Sequence, residues 1–136
     1  MKMTSIIATT WIALGALVGG TAVAADFKVK LSGDNEVPPV KTAATAEGTI
    51  SVADDGAVSG SIATKGIEGT MAHIHLAAAG KNGPVVVKLT KEGDTYKVPA
   101  DAKLDSAQLA ALKAGELYVN VHSAANKGGE IRAQLR

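Results

Sequence analysis

The chain contains no cysteine in 136 residues. That excludes disulfide staples, thiolate metal sites and cysteine nucleophiles, and it leaves no lipid-anchor cysteine behind an apolar leader. Aromatic residues are almost as scarce, at one Trp, one Phe and two Tyr, so a core has to be built from Val, Ile, Leu and Ala. Charge of one sign is lacking too. Fourteen Lys and Arg face thirteen Asp and Glu, for a formal net charge of +1, and no basic surplus draws the chain to nucleic acid or anionic lipid.

What is present at the start is a leader pattern. Lys2 is the only charge before Asp26, Ile6 to Val18 form an apolar run, and the small residues of "TAVAA" (21–25) follow. A basic start, an apolar stretch and a small-residue cleavage region make a secretory signal peptide, expected over residues 1–25 with cleavage after Ala24 or Ala25. The alternative is an uncleaved anchor helix, since residues 3–25 carry no charge and about 20 apolar residues suffice to span a bilayer. Gly15, Gly19, Gly20 and the threonines weaken it. The expected product is a single domain over residues 26–136, periplasmic or secreted, with no membrane attachment once the leader is removed.

Within that domain, apolar residues alternate with polar or small ones in "FKVKLSG" (27–33), "EGTISVA" (47–53), "AVSGSIAT" (57–64), "TMAHIHLA" (70–77), "PVVVKL" (84–89), "ELYVNVH" (116–122) and "GEIRAQL" (129–135). Period-two alternation predicts antiparallel strands. "DDG" (54–56) is a hairpin turn and "GKNGP" (80–84) another. "LDSAQLAALKAG" (104–115) has helical spacing instead. Asp105 and Gln108 form a capping box, and Gly115 ends the helix. The expected fold is all-β, a small antiparallel β-sandwich or Greek-key barrel with one short helix near residues 105–114.

The chain has three histidines, His73, His75 and His122. On a strand, residues two apart share a face, so His73 and His75 lie with Met71, opposite the apolar Ala72, Ile74 and Leu76. The same rule groups His122 with Tyr118 and Asn120, opposite Leu117, Val119 and Val121. If the two strands are neighbours, three imidazoles converge. Neutral imidazoles suit Cu(II), Zn(II) or Ni(II), whereas Ca²⁺ and Mg²⁺ require oxygen ligands. The plainer reading is that surface strands carry polar residues and these histidines are no more than that. Met71, Tyr118, Asn120 and Glu36 are candidates for a fourth ligand or for the shell behind the ligands. Met71 is attractive for Cu(I) through its thioether, although a strand methionine more often packs.

Three blocks, "LSGDNEVPPV" (31–40), "AHIHLAAAGKNGPVVVKL" (72–89) and "GELYVNVHSAANKGGEIRAQL" (115–135), resemble the CHRD domain, a module named after chordin and found in bacterial exported proteins. The resemblance covers nearly the whole domain. It implies an all-β fold unrelated to immunoglobulins and, for some bacterial members, an association with copper, without implying a settled activity. Glu36, Pro38, Pro39, His73, His75, Asn120, His122, Gly129, Glu130 and Arg132 are the residues that match. The two prolines fix an extended corner that places Glu36 to pair with Arg132 or to hydrogen-bond a histidine. Glu130 and Arg132 share a face of the last strand, either as support behind the ligands or as an ordinary solvated surface.

A copper-zinc superoxide dismutase also carries a His-X-His strand on a β-sandwich, but a dinuclear site needs more histidines than three. A serine nucleophile fails as well, because Ser123 and His122 are strand neighbours and face opposite ways. The reading is an exported domain that binds one copper or zinc ion through His73, His75 and His122 in metal handling or tolerance. The alternatives are a protein-interaction or self-association module without metal, and a mononuclear copper or zinc enzyme. Protons are expected to compete with the ion as pH falls through about 6.5.

Overall fold

The computed structural model describes residues 25–136. The leader expected over 1–25 lies outside the described residues except for Ala25, which opens the first strand. Nine strands follow: β1 (Ala25–Leu31), β2 (Thr45–Val52), β3 (Val58–Lys65), β4 (Gly69–Leu76), β5 (Val85–Lys88), β6 (Thr90–Glu92), β7 (Thr95–Lys97), β8 (Leu117–Ser123) and β9 (Ile131–Gln134). They form two antiparallel sheets, β1-β2-β3-β7-β6 and β5-β4-β8-β9. Both sheets are open, so the fold is a sandwich, and the barrel alternative does not apply.

Alternation does what the sequence predicts. Leu31, Ile50, Ile62 and Tyr96 from the first sheet meet Ile74, Val119, Val121 and Ile131 from the second, all fully buried. Each such side chain contributes roughly 1.5–3 kcal/mol through burial. The turn at 54–56 closes the β2–β3 hairpin, with Gly56 at φ 92°, a conformation that costs glycine little. The helix α1 (Ser106–Lys113) is capped as expected. Asp105 accepts from the Gln108 amide at 2.8 Å, and the Gln108 side chain accepts from Asp105 N–H at 2.9 Å. Leu104 and Leu112 are buried with the core.

Two strands were not legible in the alternation. β6 and β7 form a short hairpin around Gly93 and Asp94, and each is only three residues long in a charged stretch. Their anchor is Tyr96, which is fully buried. The final strand is also shorter than the expected 129–135 and leaves Glu130 just before it.

One covering segment matters for the site. After β1, a 3-10 turn (Gly33–Asn35) leads into the extended run 36–44, whose residues Glu36 to Lys41 line a cleft together with His75, Tyr118 and His122. With its inward residues in the core and its outward ones beneath this run, β8 is buried at all seven positions. The outward face of β8 is roofed by chain, and that of β2 and β3 is not.

Candidate metal centre

β4 and β8 are paired neighbours. Their antiparallel register sets Met71 against His122, His73 against Asn120, and His75 against Tyr118. The Ala72, Ile74, Val119 and Val121 side chains are buried in the core, so the alternate positions, including all three histidines, occupy the outward face. Cross-strand and diagonal neighbours on one face lie within reach of one another. One nitrogen from each of His73, His75 and His122 falls within 4.8 Å of the others.

Hydrogen bonds fix which nitrogen is free. His75 Nδ1–H donates to the Gly83 carbonyl at 2.9 Å, and His122 Nδ1–H donates to the Lys127 carbonyl at 2.8 Å. A carbonyl can only accept, so in the neutral rings Nε2 carries the lone pair. The His122 Nε2 lone pair accepts from His73 Nδ1–H at 3.1 Å. His75 Nε2 is buried with no hydrogen-bond partner. Holding one ring nitrogen with a backbone carbonyl so that the other can ligate is a common arrangement behind metal-bound histidines.

The two carbonyls sit on loops that are themselves clamped. On one side, Arg132 donates to the Lys81 carbonyl at 2.9 Å and to Asn82 Oδ1 at 2.5 Å, and Gly83 N–H donates to the Tyr118 hydroxyl at 3.2 Å. The Tyr118 ring stacks on His75, with centroids 4.8 Å apart and planes within 5°. The Arg132 guanidinium lies 3.8 Å from the Tyr118 ring centroid, a cation–π contact. On the other side, Glu130 accepts from Ser123 at 2.7 Å, from Asn126 at 3.1 Å and from Thr42 at 2.8 Å, which ties the loop carrying Lys127 to the covering segment.

Glu36 and Arg132 form a buried ion pair at 2.7 Å, each 3% exposed. This is the first of the two roles open to Glu36, and the pair supports the site from behind. Burial pushes the Glu36 carboxyl above its ordinary range, against the opposing pull of Arg132 and Asn120. Three hydrogen bonds outweigh desolvation at Glu130 and hold its carboxyl below the usual range. The imidazole trio itself contains no carboxylate. Burial first, then His122, His75 and Lys88, lower the His73 pKa to about 4. His75 is also lowered, chiefly by burial. Neutral rings are the ligating form, so His73 keeps its ligating form well below the ordinary histidine value, and the expected onset of proton competition near 6.5 moves toward acid for this ring.

Met71 is 49% exposed. Core packing therefore does not explain it. The loop carbonyls of Gly83 and Lys127 were missed by sequence reasoning, because backbone acceptors leave no residue-type signal. Gly83 carried a hint in the Asn82–Gly83 turn. Beside the imidazoles a cleft of about 820 Å³ runs between Val37–Lys41 and the His75–Tyr118 wall. Among the described residues no helix is long and apolar enough to cross a membrane.

Fold and site together define a small two-sheet β-domain whose roofed outer face gathers three imidazoles. The CHRD domain family matches residues 27–135, and the chain belongs to that family. No curated protein and no solved structure matches the chain.

Proposed function

We propose that this chain binds one transition-metal ion, copper or zinc, through His73, His75 and His122, and that it serves as an exported protein of metal handling or tolerance. The observation that carries this reading is the buried, unpartnered Nε2 of His75, whose other nitrogen is already committed to Gly83. A buried acceptor without a partner is costly, and a cation relieves that cost. His122 presents the same tautomer from the neighbouring strand. Zn(II) and Cu(II) both accept imidazole nitrogen, with bonds of about 2.0–2.1 Å for zinc.

Two measurements test this reading. Metal analysis of the protein purified from its native compartment should find one copper or zinc per chain, and mass spectrometry should place its N-terminus at Ala25 or Asp26. Absence of binding in a direct titration would leave the interaction-module reading in front. The cleft beside His75 and His122 favours one second reading, because it gives an ion there an open side for a small ligand, as a mononuclear enzyme requires. Turnover that depends on bound metal would establish it.

A further inference from the structure

Two buried acceptors on the outward face lack partners, and they stand on neighbouring strands. Asn120 lies on β8 between Tyr118 and His122, opposite His73 in register, and is 1% exposed. Its amide is turned with the nitrogen toward a carboxylate. Nδ2 donates to Glu36 Oε2 at 3.5 Å, and Glu36 is pinned by Arg132 at 2.7 Å. Gly129 packs so tightly here that a Cβ on it would overlap both Asn120 Nδ2 and Glu36 Oε2. With the nitrogen turned to Glu36, Oδ1 is directed away from it, and Oδ1 has no hydrogen-bond partner.

His75 is the diagonal neighbour of Asn120 across the β4–β8 pair and shares its outward face. Its Nε2 is the second unpartnered buried atom of this face. A lone pair on nitrogen and a lone pair on oxygen therefore lie buried and unpartnered at diagonal positions of one face. Each is costly without a partner, and a single cation on that face would serve both.

We infer that Asn120 Oδ1 is the fourth ligand of the ion, completing a set of three imidazole nitrogens and one amide oxygen that selects a divalent ion, Cu(II) above all, over Cu(I). The inference rests on the three-histidine reading and specifies its occupant. Tetragonal nitrogen–oxygen sets suit Cu(II) and Ni(II), whereas Cu(I) is drawn to thiolate and thioether. Met71, the one methionine among the described residues, is on the solvent side at 49% exposure, while the orphaned lone pairs are buried. Arg132 and Glu36 act as positioning residues, because they hold the Asn120 amide with its oxygen toward the ion.

The test loads the mature protein with Cu(II) and compares wild type with Asn120→Leu, His75→Ala and Met71→Leu. Asn120→Leu should lose at least about tenfold in Cu(II) affinity and shift the parallel hyperfine coupling of the electron paramagnetic resonance spectrum, while keeping the nitrogen splittings of the imidazoles. Its Cu(I) affinity, read by competition with a Cu(I) chelator, should change less than about threefold. Met71→Leu should leave Cu(II) affinity within about twofold of wild type. Should Asn120→Leu not fold, wild-type protein carrying 13C-labelled asparagine supplies the answer, since electron–nuclear double resonance should show one strongly coupled amide carbon. An unshifted Asn120→Leu spectrum, or no coupled carbon, overturns the Asn120 ligand. Tighter binding of Cu(I) than Cu(II) by the wild type overturns the selectivity. If His75→Ala binds Cu(II) as well as wild type, the three-histidine reading itself fails.

Discussion

On β2 and β3 the outward residues Glu47, Ser59 and Lys65 stand in solvent, whereas on β8 the outward residues Tyr118, Asn120 and His122 are buried. The alternation is the same in both sheets. What differs is the covering run 36–44 and the two clamped loops, which lie over β8 and leave β2 and β3 bare. Like chemistry then acquires different weight. Lys30 and Glu47 pair at 3.7 Å with both side chains more than two-thirds exposed, and Arg132 and Glu36 pair at 2.7 Å almost wholly buried. The first is a solvated contact, and the second joins β9 to the roof across 96 residues of sequence.

The largest break in this contrast should come from removing one half of the buried pair. Glu36→Ala or Arg132→Ala strands a charge away from water and should cost about 3–5 kcal/mol in denaturant unfolding. Arg132→Ala additionally frees Lys81, Asn82 and the Tyr118 ring, so the tautomer of His75 should loosen with it. A cost below about 1 kcal/mol would show that the roof contributes little.

Next is His75→Ala. Metal affinity should fall about tenfold or more. Saturating copper or zinc at about 100 times the wild-type Kd should add about 2.7 kcal/mol to wild type and about 1.4 kcal/mol or less to the variant. Period-two reasoning alone makes this substitution free of packing cost, but the structure disagrees. His75 is 8% exposed and stacked on Tyr118, so the metal-free variant should also unfold at lower denaturant than wild type. Equal metal shifts in the two proteins would make the histidines mere polar filling beneath the roof.

A smaller effect concerns pH. The His73 pKa is lowered in the fold to about 4, against about 6.5 in the unfolded chain. Between these values the unfolded state binds more protons, so stability falls as pH drops. The neutral-ring contribution is therefore complete above about pH 6.5, lost progressively toward 4, and constant below. Unfolding midpoints for His73→Gln should show a shallower acid-side slope, with the His75 contribution retained, and an unchanged slope would show that His73 is not a group responsible.

The smallest change belongs to the bare sheet. Glu47→Ala should alter stability by less than about 1 kcal/mol, measured by the same denaturant series. A loss matching that of Glu36→Ala would erase the distinction between the two sheets.

The sequence by itself determined the local facts. Alternation in "MAHIH" and "LYVNVH" placed the three histidines on outward faces, and Asp105 with Gln108 began the helix, because side-chain direction and capping depend on residues two to four apart. The β6–β7 hairpin escaped it, since three-residue strands rich in charge carry no periodic signal and form only because Tyr96 finds a buried place. Tertiary structure alone decided that β4 lies beside β8 in the register that gathers His73, His75 and His122. It also decided that Gly83 and Lys127 orient two of the rings, and that Glu36 meets Arg132 beneath a roof. Partner choice between strands is set by the burial of the whole apolar set at once, and backbone carbonyls are the same in every residue, so neither is written into any short stretch of chain.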